Sequence, residues 1–166
     1  MDNSKTIRDR ILHILRGNAR LTDEQIAAML GVTAQAVGEE IAELEKEGIL
    51  VGFTAIINEE AYDKNAVTAI VELKVSPQME NGYNAIANKI AQNRQVVSVQ
   101  LMSGGFDLAV TVKGENLREV AMFVSDHLAV MDGVLSTATH FILKRFKEKD
   151  TLFPVDADDE RSLVSP

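Results

Sequence analysis

The chain has 166 residues, of which 46% are hydrophobic and 25% charged, a composition typical of one large globular domain or two small ones. Its net charge of -8 excludes a uniformly basic nucleic-acid coat protein. The absence of cysteine excludes disulfides, thiolate metal sites and cysteine nucleophiles. Residues 1–10 lack the apolar stretch of a secretion signal, and no run approaches the roughly 20 apolar residues of a membrane span. We therefore expect a cytoplasmic protein that does not contact membranes.

The charge is unevenly distributed. Residues 1–20 carry five basic and two acidic side chains, whereas residues 21–48 carry one basic and seven acidic side chains. A local basic patch is therefore compatible with an acidic chain. Each cluster can also be an ordinary solvated helix face.

Two helices are predicted at the start of the chain. Apolar side chains recur at helical spacing over residues 4–16. Thr22 and Gln25 form the pattern of a capping box that begins a second helix, and Gly31 ends that helix because glycine adopts the left-handed conformation at little cost.

A third helix and a strand complete this part. Thr33 caps the helix and Gly48 closes it, and the apolar residues 49–57 then favour a strand. Three short helices with a glycine-bearing turn between the last two are typical of a helix-turn-helix, and the following strand would make it winged. We assign residues 1–58 to this domain and the polar residues 59–65 to a linker.

The remainder has the pattern of a sheet domain. Successive strands and helices are predicted at residues 66–75, 83–90, 96–101, 106–112, 117–128 and 134–146. The order βαββαβ is that of the ferredoxin-like fold, an antiparallel sheet with both helices on one face. The fold class is therefore α+β. The other face also reads as apolar, which predicts self-association. We assign residues 66–147 to this domain and residues 148–166 to an acidic C-terminal extension.

Three sequence runs resemble the Lrp/AsnC, or feast/famine, family of transcriptional regulators. The run LEKEGILVGFTAIIN covers residues 44–58, SGGFD covers residues 103–107, and Gly133-Val134 is followed by Thr137 and Thr139. The similarity extends over residues 5–147. It implies a helix-turn-helix that binds the DNA major groove and a second domain that binds an amino acid. It also implies dimers, commonly four in a ring that makes an octamer, with the effector between dimers.

The third helix departs from the family pattern, which places Arg or Lys there. Its exposed side is acidic, so it can read bases but attracts phosphates poorly, and attraction has to come from basic residues of the first helix. We expect weaker or more salt-sensitive DNA binding than in relatives. The candidate DNA-binding residues are Arg8, Arg20, Thr22, Thr33, Gln35, Gly38, Glu39, Ala42 and Lys46, with Lys5, Arg10 and Arg16 as further cations.

A candidate effector site lies at the SGGFD run. Glycine exposes backbone N–H groups that suit a carboxylate, and Asp107 offers a charged partner for an α-ammonium group. A tight hairpin alone would also explain the glycines. The candidate effector-binding residues are Met102, Ser103, Gly104, Gly105, Phe106, Asp107, Thr137 and Thr139.

Nothing in the sequence favours catalysis or a metal site. His13, His127 and His140 lack ligands at metal spacing, and Ser125-Asp126-His127 are helix neighbours that cannot face one another as a triad. We expect no enzyme activity and no cofactor other than the small effector. The alternative function is an amino-acid-sensing oligomer whose acidic helix-turn-helix contacts a protein partner instead of DNA.

Overall fold

The structure is a computed structural model that describes residues 6–76 and 82–154. The chain forms two compact units that divide between Ala55 and Ile56. Each unit has its own buried apolar cluster. Within the described residues, no helix is long and apolar enough to span a membrane.

The N-terminal unit contains the three predicted helices. These are α1 (Ile7–Gly17), α2 (Asp23–Leu30) and α3 (Ala34–Lys46). Each helix buries one stripe against the other two, as its apolar spacing predicts. The buried members of this core are Ile11, Leu15, Ile26, Ala27, Val37 and Leu44.

Side-chain caps fix where these helices begin. The predicted capping box is confirmed, since the Thr22 hydroxyl accepts from the Gln25 N–H and the Gln25 amide oxygen accepts from the Thr22 N–H. The Thr33 hydroxyl caps α3 by accepting from the Ala36 N–H, without a reciprocal side-chain bond. Gly31 follows α2 with φ of 72°, the left-handed conformation predicted for it. A further box between Thr6 and Asp9 begins α1 and was not predicted.

The predicted wing strand is wrong for the single chain. Residues 49–57 form no strand, and no segment of the described residues pairs with them. Strand hydrogen bonds require a neighbouring strand, so a β-rich sequence alone does not make one. The segment instead leaves large apolar side chains exposed, namely Ile49, Val51, Phe53, Ile56 and Ile57.

The C-terminal unit has the predicted βαββαβ order. After a short helix α4 (Glu59–Tyr62), which the sequence analysis assigned to the linker, the elements are β1 (Val67–Val75), α5 (Asn84–Ala91), β2 (Val96–Leu101), β3 (Leu108–Gly114), α6 (Leu117–Phe123) and β4 (Val134–Phe141). The sheet is antiparallel with order β2-β3-β1-β4. The ferredoxin-like arrangement is thus confirmed.

The core of this unit lies between the sheet and its two long helices. Alternate residues of β1 are buried and point toward α5 and α6, as a strand with one covered face requires. Val71 and Leu73 are fully buried there, together with Val110 of β3 and Val120 of α6.

The expectation of an apolar second sheet face is wrong. Thr68, Glu72 and Lys74 lie on that face of β1, with Ile70 as its only large apolar side chain. Glu72 pairs across the strands with His140 at 3.4 Å. The exposed apolar residues lie instead at the sheet edge and after the last strand, at Val97, Leu101, Leu135, Leu143, Phe146 and Leu152.

Three predicted limits also change. β4 ends at Phe141, not residue 146, because its pairing with β1 ends at the pair formed by Ala69 and Phe141. The predicted helix over residues 117–128 changes to a π-helical turn at Val124–Leu128. In the C-terminal extension, β5 (Lys147–Glu148) and β6 (Thr151–Leu152) form a short hairpin. The remaining residues of that extension, 155–166, lie outside the described residues.

Candidate nucleic-acid interface and effector site

The exposed row of α3 carries four of the predicted base-reading residues. Gln35, Glu39, Ala42 and Lys46 are all exposed, and their spacing places them on one side of the helix. The Gln35 amide donates to the Glu39 carboxylate at 2.8 Å. Lys46 pairs with Glu43 at 3.2 Å, so its charge is partly compensated. The row can exchange hydrogen bonds with base edges, but it presents little free positive charge.

The two threonine caps differ in what surrounds them. The Thr33 hydroxyl accepts from the Ala36 N–H at 3.2 Å, which leaves its own proton available to an external acceptor. At the other cap, the Thr22 hydroxyl lowers the pKa of the neighbouring Glu24 carboxyl, with a smaller contribution from the Glu24 N–H. An ionised carboxylate beside Thr22 disfavours a phosphate there, so Thr33 is the better phosphate contact of the two.

Gly38 occupies a packing position between two helices. A Cβ atom at this residue would lie 3.0 Å from the Asp23 carboxylate oxygen, and the residue is only half-exposed. The structure therefore gives Gly38 a role in the close approach of α3 to α2, and it directs the residue toward Asp23 rather than outward with the exposed row.

Arg8 is occupied by two carboxylates of the same unit. Its Nε lies 2.6 Å from Glu40, and its Nη1 lies 2.8 Å from Glu47. Hydrogen bonds to Glu40 and then Glu47 raise its pKa above the ordinary value of arginine. Sequence reasoning assigned Arg8 to DNA and missed this contact, because its partners are 32 and 39 residues away.

The other cations of this unit are less constrained. Arg10, Arg16 and Arg20 are exposed, and none forms an ion pair with another residue of the described ranges. Lys5 lies outside the described residues. Among the described basic residues of this unit, these three arginines have no carboxylate partner.

The SGGFD run is a surface loop between two paired strands. Leu101 and Leu108 are the last paired residues, and the Met102 N–H donates to the Asp107 carbonyl at 2.8 Å. Ser103, Gly104 and Gly105 are exposed, and Gly104 has φ of 150°. The loop is longer than the tight two-residue hairpin considered from sequence. It presents backbone groups to solvent, as an anion site requires.

Asp107 anchors this loop to the neighbouring strand β1. Its backbone N–H donates to the Leu73 carbonyl at 2.9 Å, and its Oδ2 accepts from the Val75 N–H at 2.9 Å. Its Oδ1 accepts from the Tyr83 hydroxyl at 3.3 Å. From sequence, Tyr83 is predicted only as part of the helix over residues 83–90. No local signal connects it with Asp107, because 24 residues separate the two.

The phenol of Tyr83 is affected by this carboxylate. The negative charge of Asp107, followed by partial burial and the hydrogen bond itself, raises the pKa of Tyr83 above its ordinary value. The shift has the sign expected when ionisation would place two negative charges side by side.

The remaining predicted effector residues lie farther away. Thr137 and Thr139 belong to β4 and pair with Leu73 and Val71 of β1. Since β1 separates β4 from β3, Thr137 lies about two strand spacings, roughly 10 Å, from the start of β3. The threonines and the loop thus lie on opposite sides of β1 and do not form one compact cluster in a single chain.

A separate cleft of about 430 Å³ opens at the other end of the sheet. Its lining includes Glu59, Arg94 and Lys113, and none of residues 102–107. Lys113 pairs with Glu59 across it at 2.8 Å.

The described ranges contain no group of three or more His, Cys, Asp or Glu that could hold a metal ion.

Both units match models of known families. Residues 9–45 match the AsnC-type helix-turn-helix domain, and residues 68–152 match the Lrp/AsnC ligand-binding domain. The chain is also 41% identical, over 94% of its length and 95% of the relative's, to the HTH-type transcriptional regulator YugG of Bacillus subtilis. The chain belongs to the Lrp/AsnC family. It is therefore a DNA-binding transcriptional regulator whose second domain is of the effector-binding kind.

Solved structures share the fold of this Lrp/AsnC regulator. The crystal structure of PH0061 has a TM-score of 0.76 at 22% identity and covers 89% of this chain and 98% of its own. The transcriptional regulator NMB0573 of Neisseria meningitidis, solved as a complex with L-Met, has a TM-score of 0.72 at 20% identity and covers 92% of this chain and 97% of its own.

Proposed function

We propose that this Lrp/AsnC regulator reads the DNA major groove with the exposed row of α3 defined by Gln35, Glu39, Ala42 and Lys46. The observation that carries the proposal is the exposure of this row on the second helix of a helix-turn-helix. Gln can bond adenine and Glu can accept from cytosine, so the row supplies specificity. We place the protein in the cytoplasm, in reach of DNA, and assign it no enzyme activity.

Phosphate contacts in this proposal come from Arg10, Arg16 and Arg20. They replace Arg8, whose guanidinium is held by Glu40 and Glu47. Phosphate neutralisation provides most non-specific affinity. A small number of available arginines therefore predicts weak DNA binding by a single helix-turn-helix, and much stronger binding by an oligomer that presents several of them.

DNA binding is tested by fluorescence anisotropy with the upstream region of the gene at two salt concentrations. Arg20→Gln should weaken binding to all sequences and reduce the salt slope by about one. Gln35→Ala should reduce discrimination between operator and unrelated DNA instead. Arg118→Gln, in the other unit, is the matched control for lost charge. No binding at low salt would contradict the proposal.

The effector in this proposal is a free amino acid bound at Met102–Asp107. Exposed N–H groups of the glycine-containing loop suit its carboxylate, and Asp107 suits its ammonium group. The complex of NMB0573 with L-Met supports this class of ligand. Since the loop is exposed in one chain, we propose that a second copy encloses the ligand and that Thr137 and Thr139 contribute to the enclosed space.

Calorimetry with the twenty standard L-amino acids tests this effector class. Asp107→Asn is the informative variant because the amide oxygen can still accept from Val75 while the charge that attracts an ammonium group is lost. We expect the variant to fold and to lose the binding heat. Asp126→Asn, at an exposed site on the π-helical turn, is the control for lost charge.

We also propose a homodimer and a higher assembly such as an octamer. Large apolar side chains that are more than half exposed, including Val51, Leu143 and Leu152, support self-association. Within the assembly we keep the domain limits 1–58, 59–65, 66–147 and 148–166. Sedimentation velocity measures the mass directly, and a monomer at micromolar concentration would contradict this part of the proposal.

A protein partner for the helix-turn-helix is the second candidate function. The acidic surface of α3 and the compensation of Arg8 favour it, because both reduce attraction to DNA. It predicts no operator binding at any salt concentration. In that case, the immobilised chain should retain a basic protein, and the immobilised Glu39→Lys variant should not.

A further inference from the structure

One contact in the effector region joins the side chains of Tyr83 and Asp107, which are 24 residues apart. Tyr83 directly precedes α5, and its half-buried ring packs against the core of the C-terminal unit. Its hydroxyl is directed at Oδ1 of Asp107, at the edge of a loop in which residues 102–105 are exposed. The contact therefore links the candidate ligand loop to the start of a core helix.

The two oxygens of Asp107 are bound unequally. Oδ2 accepts from the Val75 N–H at 2.9 Å, a normal length that fixes the orientation of the carboxylate. Oδ1 accepts from Tyr83 at 3.3 Å, which is long for a bond between a hydroxyl and a carboxylate. Hence Oδ1 is the oxygen whose present partner is easier to replace.

The charge of Asp107 is also left without a cation. Among the described residues, the ion pairs do not include Asp107, and its carboxylate receives only a neutral amide and a neutral hydroxyl. A hydrogen bond from an ammonium group to a carboxylate is roughly twice as strong as one between neutral groups. An arriving ammonium group would therefore bind Oδ1 better than the phenol does.

We propose that the Tyr83 hydroxyl holds the ammonium position of the effector site before ligand binding and is displaced from Oδ1 when an amino acid binds. The inference rests on the proposed function, since it concerns the same site. Tyr83 is an internal competitor for Oδ1 in this account, whereas the Val75 N–H keeps the carboxylate oriented. Release of Tyr83 changes the contacts at the start of α5, a helix whose Ile86 and Ile90 are buried in the core. The raised pKa of Tyr83 is consistent with a phenol that senses this carboxylate.

The chain permits a direct spectroscopic test. It has two tyrosines and no tryptophan, so Tyr62→Phe leaves Tyr83 as the only fluorescent side chain of its kind. Tyr62 is 82% exposed, which makes its replacement a mild change. Hydrogen bonding to a carboxylate quenches tyrosine emission, so displacement should raise it. We expect emission to rise with amino acid concentration at the same half-saturation that calorimetry gives.

Two controls separate displacement from a general change of environment. For each amino acid that binds, the carboxylic acid lacking the amino group should leave Tyr83 emission unchanged, because it offers no ammonium group. Tyr83→Phe removes the internal competitor while keeping the ring, and should tighten amino acid binding by about 2- to 10-fold, the worth of one net hydrogen bond.

The outcomes distinguish this inference from the proposed function. Binding heat with unchanged Tyr83 emission, or weaker binding by a folded Tyr83→Phe variant, overturns the displacement of Tyr83 and leaves the effector site standing. Absence of binding heat with all twenty amino acids overturns the proposed effector itself and this inference with it. Circular dichroism shows whether each variant is folded.

Discussion

The guanidinium of Arg8 donates to the Glu40 carboxylate at 2.6 Å and so connects α1 with α3. Glu47, one residue beyond the end of α3, accepts from the same guanidinium at 2.8 Å. A cation that sequence reasoning assigns to DNA is thus used to hold the helix-turn-helix together. The contact reduces the positive charge offered to phosphates and makes α3 part of a three-helix unit.

Releasing Arg8 should strengthen DNA binding. The double variant Glu40→Gln, Glu47→Gln removes both strong partners of the guanidinium and two negative charges near the reading helix. We expect higher affinity for DNA in low salt and a salt slope steeper by about one, since one more cation reaches a phosphate. Fluorescence anisotropy at several salt concentrations measures both. The control Glu24→Gln, Glu45→Gln removes equal charge without touching Arg8, and an equal gain there would contradict a specific role for the release.

Loss of the Thr22 cap should destabilise the helix-turn-helix. Thr22→Ala removes the acceptor for the Gln25 N–H and leaves the first turn of α2 with an unpaired donor. We expect a loss of about 1 kcal/mol in the free energy of unfolding, measured by urea denaturation followed by far-ultraviolet circular dichroism. Thr22→Ser should recover most of it. Thr54→Ala, at an exposed position outside the helices, should change stability by less than about 0.5 kcal/mol.

The pKa of Tyr83 should depend on the charge of Asp107. In a Tyr62→Phe background, the absorbance of ionised Tyr83 should develop above the ordinary pKa of 10.0. Adding Asp107→Asn should return the transition toward that value, because the Asp107 charge is the largest cause of the shift. A raised folded pKa contributes stability that is complete below pH about 10 and is lost as the pH rises through the folded value. An unchanged Tyr83 titration in the double variant would show that burial, not charge, controls it.

A side chain at Gly114 should disrupt the core of the C-terminal unit. A Cβ atom there would lie 2.9 Å from Cγ2 of the buried Val120 and 3.2 Å from the Glu119 carboxylate. Gly114→Ala should therefore cost about 1–3 kcal/mol, as over-packing of a filled core does. Thermal denaturation by calorimetry measures the loss. Gly105→Ala, where a Cβ meets no atom within 4 Å, should leave the melting temperature almost unchanged.

Predictions from sequence succeeded where the deciding contacts are local. The capping box of Thr22, the left-handed Gly31 and the alternation of β1 each depend on residues that lie within a few positions of one another. A hydrogen bond between neighbours or a strand period is visible in the printed sequence, so the three helices and the βαββαβ order follow from it.

Predictions failed where an element depends on a pairing partner that is distant in sequence. Residues 49–57 have strand composition but pair with no strand of the described residues, and β4 stops at Phe141, where its pairing with Ala69 of β1 ends. The second sheet face is polar because the alternation of β1 places Thr68, Glu72 and Lys74 on it, and Glu72 contacts His140 of β4 diagonally across the strands. Composition records which residues are present but does not show which side of a sheet receives them.

The sequence by itself predicted α1, α2 and α3, the caps of α2 and α3, the βαββαβ order and the family resemblance, because each of these is encoded over short stretches of chain. Only the tertiary structure decided that Arg8 is bound by Glu40 and that Asp107 is bound by Tyr83, contacts that span 32 and 24 residues. Such pairs form when separate elements pack, and packing depends on the three-dimensional fit of many side chains at once. In this protein the same packing decides which charges remain available to DNA and to an effector.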